Sequence, residues 1–238
     1  MALYRDQGIV LRTHKLGEAD RIVSLATRGR GKVRAVAKGV RRTSSRFGSR
    51  LEPGSHVAAQ FYEGRELDIV TQVESLDHFR PIREDLHRVA RAQVLLEAVD
   101  QVVQEGEPNP RLYQSLLGAL RSLSADDPAL LVAGFLLKLL VLEGVRPEID
   151  QCVDCGREDD LVAFDPGSGG MLCSECRRGV AVSAEALALL HLILGGKLGA
   201  ALNEPESTAT HQVDALAATA LEFHLERRLR SLAVLDRT

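Results

Sequence analysis

From Tyr4 to Leu76 apolar and polar residues alternate with a period near two, and the alternation is cut into five segments: Tyr4–Thr13, Arg21–Thr27, Lys32–Lys38, Ser55–Tyr62 and Glu66–Leu76. The cuts fall at turn-forming residues, Gly17, Arg28-Gly29-Arg30-Gly31, Pro53-Gly54 and Glu63-Gly64-Arg65. Five short strands with one long connection, Gly39 to Gly54, fit a small Greek-key barrel of the OB type. From Pro81 the period lengthens to about 3.6. Leu86, Val89, Leu96, Val99 and Val103 trace one helical stripe and Leu112, Leu116, Leu120 and Leu123 a second. Pro128 opens a nearly all-apolar stretch, Leu130–Leu142, whose helix belongs in the middle of a bundle. Ser183 reads as the N-cap of a helix over Ala184–Leu194 that Gly195-Gly196 ends. A last helix is expected from about His211 to Leu232, with Leu216, Ala220, Phe223, Leu229 and Leu232 inward, after a polar connector at Asn203–Thr210. The expected fold class is α+β: an N-terminal five-stranded OB-type barrel over residues 1–79, then an α-helical domain over 80–238.

At 238 residues the chain has room for two or three packed units. The N-terminus carries no apolar leader, and the longest apolar run, Pro128 to Val145, is broken by Lys138 and Glu143. That run falls short of the roughly 20 residues a membrane span needs. A reducing, cytoplasmic setting is therefore expected, in which cysteines are metal ligands or free thiols before they are disulfides.

Charge sharpens the picture. The formal net charge is −3, but thirteen of the thirty Lys and Arg, and only three of the thirty-three acids, fall within the first fifty residues. From Arg28 to Arg50 the chain carries Arg28, Arg30, Lys32, Arg34, Lys38, Arg41, Arg42, Arg46 and Arg50 without one Asp or Glu. So one-sided a cluster repels itself unless a polyanion lies over it, which points to nucleic acid held by its phosphates. The third segment alternates, with Lys32, Arg34, Val36 and Lys38 on the face away from Val33, Ala35 and Ala37, so its basic face leads into the basic loop. There is no Trp, and Phe47 is the one aromatic in the loop, so base stacking has little support.

The four cysteines stand as Cys152-Val153-Asp154-Cys155 and Cys173-Ser174-Glu175-Cys176, two pairs seventeen residues apart. That spacing is the pattern of a closed four-cysteine site for one structural Zn²⁺, here a zinc-binding insertion over 150–179. Four protein ligands leave no open position for an activated water. Catalytic signals are otherwise missing. Gly29-Arg30-Gly31-Lys32-Val33 lacks the glycine spacing and the Ser or Thr of a phosphate loop, the seven histidines are scattered, and no acid pair suggests a two-metal nuclease. The reading is a nucleic-acid-binding protein without catalytic residues. A zinc-ribbon transcription or translation factor is the alternative.

Several stretches taken in order carry a family resemblance. They are Gln7-Gly8-Ile9-Val10-Leu11-Arg12, Gly17-Glu18-Ala19-Asp20-Arg21-Ile22, Gly31-Lys32 followed by Val36-Ala37-Lys38-Gly39-Val40-Arg41-Arg42, Leu51-Glu52-Pro53-Gly54, the paired cysteines, and Arg230-Ser231-Leu232. The chain resembles the RecO family of bacterial recombination mediators over nearly its whole length. The resemblance implies an OB barrel, a helical domain and a zinc-binding insertion. It also implies binding of single- and double-stranded DNA, annealing of complementary strands, contact with single-stranded DNA-binding protein, and action with RecR in loading RecA. Arg227, Arg228 and Arg230, near the end of the last helix where the dipole favours cations, are the candidates for the acidic tail of single-stranded DNA-binding protein.

Overall fold

A computed structural model of the chain describes residues 2–43, 45 and 47–235. Five strands, β1 (Leu3–Leu16), β2 (Asp20–Thr27), β3 (Gly31–Ala37), β4 (His56–Tyr62) and β5 (Asp68–Asp77), close a barrel in the order β1-β2-β3-β5-β4. Neighbours are antiparallel except β3 and β5, which meet in parallel at Ala35/Asp68 and Val36/Ile69. This is the OB architecture that the alternation predicts. β1 serves two partners: Leu3 to Ile9 pair with β4 and Gly8 to Leu16 with β2, with an irregularity between Val10 and Arg12 that bends the strand from one to the other. Val10, Leu25, Val33, Ala35, Val57 and Phe61 fill the interior. Phe47 and Leu51, from the β3–β4 connection, join them at 4% and 2% exposure, each contributing roughly 2 kcal/mol of apolar burial. A 3-10 turn over Gly48–Leu51 delivers them, so the long connection is plugged into the barrel rather than looped out.

Three helices, α1 (Arg80–Arg83), α2 (Leu86–Val102) and α3 (Pro110–Ala125), belong to the same compact unit as the barrel, which extends to Ala125. Asp85 caps α2 by accepting from Arg88 N at 3.0 Å. α2 and α3 pack against β1. Ile9, Ser24 and Ala26 lie on the outer face, in register across β1 and β2, yet none exceeds 2% exposure. The helices therefore make part of the barrel's outside into a second core. His56 of β4 is buried with them, its Nε2 2.7 Å from the hydroxyl of Tyr113 in α3.

A second compact unit begins at Asp126. Its centre is α4 (Leu131–Leu142), with nine of twelve residues buried, as an all-apolar helix requires. A three-stranded sheet of β6 (Leu161–Asp165), β7 (Gly170–Cys173) and β8 (Val180–Ala181) follows in the order β7-β6-β8. Then come α5 (Ala184–Leu194), α6 (Leu198–Ala201), α7 (Thr208–His224) and α8 (Leu232–Leu235), with α5 and α7 packed on α4. Ser183 caps α5 as expected, accepting from Ala186 N at 3.2 Å.

The last long helix differs from the periodic reading at both ends. It starts at Thr208 because Ser207 and Thr210 form a reciprocal capping box. It stops at His224 because Glu226 turns left-handed, φ +50°, with Glu226 N bonded to Phe223 O and Arg227 N to Glu222 O, the pattern of a Schellman stop. Phe223, expected inward, is consequently 57% exposed, while Leu229 is buried. The change of period near residue 80 separates strands from helices; compact packing divides the chain later, after Ala125. No described helix is long and apolar enough to cross a membrane.

Candidate nucleic-acid interface and metal centre

Among the described residues the basic run is split between different settings. At the start of β3 the cations are already engaged. The last turn of α2 carries Asp100 and no basic residue, the wrong sign for the negative end of a helix dipole, and the barrel supplies what is missing. Arg12 Nε lies 2.9 Å from Asp100 Oδ2, and Lys32 Nζ donates to the Asp100 carbonyl at 2.5 Å while standing 3.4 Å from Oδ1. Asp100 is 6% exposed and Lys32 14%. Lys32, expected on DNA, is thus a cap on a helix end. Its backbone N also donates to Gln104 O at 2.8 Å. Gly31 beside it is φ +66°, and a Cβ there would lie 2.3 Å from Glu107 O and 2.5 Å from Gln104 O, so glycine alone allows the segment after α2 to lie against β3. Arg34, on the same outer face, stands 3.6 Å from Glu105.

Past Ala37 the setting reverses. Gly39 N donates to Asp20 Oδ1 at 2.7 Å and Arg41 N to Ala19 O at 3.0 Å, so the segment after β3 is tied down along the β1–β2 turn. The Arg41 guanidinium donates to the carbonyls of Glu18 at 2.8 Å and Gly17 at 3.3 Å. Lys38, Arg41 and Arg42 are exposed, and Lys38 and Arg42 have no side-chain partner among the described residues. Next to them the sheet's outer face carries the row His14, Ile22, Val36, set by register across β1, β2 and β3. Leu16, one step further along β1, is 39% exposed. An aliphatic strip edged by cations therefore lies open beyond the part that α2 covers. Phe47 does not reach it, being a core residue.

The other cations of the run are dispersed. Arg28 is exposed at the β2–β3 turn and lines a shallow groove with Arg5, Gln7, Gln60 and Gln72. Arg30 stacks 3.8 Å above the Tyr4 ring and is 3.8 Å from Glu63. Tyr4 in turn donates to Asp68, and burial with that bond raises its phenol well above the ordinary value. Arg50 folds back to the Phe47 carbonyl at 3.3 Å, and Arg46 lies outside the described residues. Two participants gave no sequence signal as a pair, Arg12 and Asp100; the acid in the last turn of α2 was the one available clue.

The cysteines converge. All four Sγ atoms of Cys152, Cys155, Cys173 and Cys176 lie within 4.8 Å of one another, with Cys155 and Cys173 at 3.7 Å. A tetrahedron of sulfurs about 2.3 Å from a metal has edges of about 3.8 Å, so the cluster has the size to hold an ion. The first knuckle is closed by Gly156 N to Cys152 O at 2.8 Å and Cys152 N to Arg157 O at 2.7 Å. It is laid onto β7 by Val153 N to Met171 O at 3.0 Å. A Cβ on Gly170 would meet Glu148 O and Val153 Cγ1 at 2.6 Å each, so this approach also requires glycine. Arg178 binds both oxygens of Asp154 and reaches Asp165 at 3.2 Å, clamping the knuckle to the β6–β7 hairpin and holding the Asp154 carboxyl below its usual range. Burial works against ionising Cys152, but backbone N–H groups of Cys173, Cys155 and Asp154 outweigh it and bring its thiol to about 6. A bond to Cys155, with burial, pushes Cys176 up to about 12.

Arg227, Arg228 and Arg230 are exposed, but they follow α7 rather than riding on it. They come soon after the exposed Phe223 in the chain.

Comparison with known proteins fits this assembly. The family model described as the N terminal of recombination protein O matches residues 1–79, and that described as its C terminal matches residues 83–233. The DNA repair protein RecO of Nocardioides sp. is 45% identical over 244 residues, spanning 99% of this chain and 100% of that protein. Those of Streptomyces coelicolor and Thermobifida fusca are each 43% identical, over 249 and 243 residues, spanning 100% of both chains in each case. With an OB barrel, a helical region and a four-cysteine cluster in the matching order, the chain belongs to the RecO family of DNA repair proteins.

Proposed function

We propose that this protein is a non-enzymatic recombination mediator that holds single- and double-stranded DNA by phosphate contacts, without sequence preference, and anneals complementary strands. The observation that carries the reading is the tethered segment Lys38–Arg42: three exposed cations beside an open OB face, with no exposed aromatic among them. Such a surface grips backbone and leaves bases available for pairing. Arg28, Arg30, Arg46 and Arg50 are further members of the site, while Arg34 is held by Glu105 and Lys32 contributes through the fold. RecR, single-stranded DNA-binding protein and, indirectly, RecA are the partners, in the cytoplasm at the nucleoid. Arg227, Arg228 and Arg230, exposed after α7, suit the acidic tail of single-stranded DNA-binding protein. The four thiolates suit one structural Zn²⁺, which closes the site and supplies folding free energy rather than a reactive water.

The test is annealing of complementary strands already coated with their cognate single-stranded DNA-binding protein, with and without RecR. Failure to accelerate annealing under both conditions sinks the reading. Competition among random single strands, duplex and structured RNA separates it from a zinc-ribbon transcription or translation factor, which would show a marked preference.

A further inference from the structure

Carboxylates beside β3 pair with cations of its outer face. Asp100 neutralises Arg12 and Lys32 from a buried position, and Glu105, itself 55% exposed, sits 3.6 Å from Arg34. Glu105 is not a loosely placed side chain. Its backbone bridges to Gly31 and Lys32, and the close approach that Gly31 permits holds it over the outer face of β3. The same face continues, uncovered, to Val36 and Lys38.

We propose that Glu105 is an affinity-setting residue, an internal phosphate surrogate that competes with nucleic acid for Arg34. The phosphate track is thereby confined to the Lys38–Arg42 end of the barrel. The proposal rests on the barrel being the DNA site. Asp100 makes its pairings buried and permanent, because its partners also hold a helix end. Glu105 makes its pairing at the surface, where a phosphate in solution can contest it and where its removal exposes one further cation. A mediator that must release strands once they anneal gains from such a ceiling on its grip.

The experiment is a double-mutant cycle on the full chain, reading the slope of log K against log salt for a labelled oligothymidine. Glu105→Gln should bind tighter and steepen the slope by about 0.7, the value of one added phosphate on a single strand. Arg34→Ala should leave the wild-type slope unchanged and return Glu105→Gln to it. Glu107→Gln makes the same charge change two residues away, at an exposed side chain with no cation partner among the described residues, and should behave as wild type. Two outcomes overturn the proposal: Arg34→Ala flattening the slope equally in both backgrounds, or Glu105→Gln matching Glu107→Gln. If the wild type itself shows no salt-dependent binding, the DNA assignment of the barrel falls first and this inference falls with it.

Discussion

Lys32 and Lys38 lie at the two ends of one basic strand face, six residues apart, and the fold has used them in opposite ways. Lys32 is mostly buried and bonded to the end of a helix; Lys38 stands exposed over a tethered turn. Linear charge density cannot distinguish them. What does is whether an acid brought in by a distant element, Asp100 on α2, arrives at that point of the barrel. A basic run is thus a supply of cations that tertiary docking divides between those tied into the fold and those left exposed, and on the proposed function mutation of the first group should change stability and mutation of the second DNA binding.

The largest effect is expected where four thiols converge. Cys173→Ser removes one of four converging thiols, and because metal binding is folding free energy for such a module, metal content and thermal stability should fall together. Metal analysis of the purified chain beside a melting curve checks this. A wild type lacking metal, with a mutant equally stable, would remove the thiols from the comparison.

Next comes the open end. Changing Lys38, Arg41 and Arg42 together to Ala should weaken binding to every DNA sequence alike and reduce the salt slope by roughly 0.7 to 0.9 for each phosphate no longer held, while melting changes little. An unchanged slope would place the site elsewhere. Asp100→Ala is the converse. It leaves Arg12 and the largely buried Lys32 without their acid, for which about 3 kcal/mol of destabilisation is expected. Chemical denaturation measures that loss. Stability equal to wild type would show that the cations at this end of β3 are not committed to the fold.

Much of this was legible in the sequence, and the gaps have physical causes. The strands were readable because each has one buried and one outer face, and the cysteine cluster because its geometry is nearly all local. The start of α5 was readable from Ser183. The end of α7 was not, because Glu226 takes a left-handed conformation that carries no glycine signal. Lys32 could be placed on the outer face of β3, but not beneath α2, since nothing local reports which part of a barrel's outside a later helix will cover. Phe47 lies in what the sequence marks as a loop, and its burial comes from the barrel it caps.

The smallest expected effect concerns a third way of treating a charge, which is to keep it from forming. His56 is buried between β4 and α3, faces the Tyr113 hydroxyl at 2.7 Å, and has Arg121 and Asp77 as its charged surroundings. Burial, with Arg121 adding to it, lowers its pKa from the ordinary 6.5. The folded state therefore binds this proton less readily than the unfolded chain does. Its contribution to stability is complete above pH 6.5 and is lost as the pH falls below that value, with a slope of at most about 1.4 kcal/mol per pH unit. His56→Gln retains a side chain able to bond Tyr113 but cannot titrate. Unfolding free energies at pH 7 and pH 5 should therefore converge more closely in that variant than in the wild type. An identical acid loss in both would mean that His56 is protonated in the folded barrel, and that this position, like Lys32, tolerates a cation that the surrounding structure already accommodates.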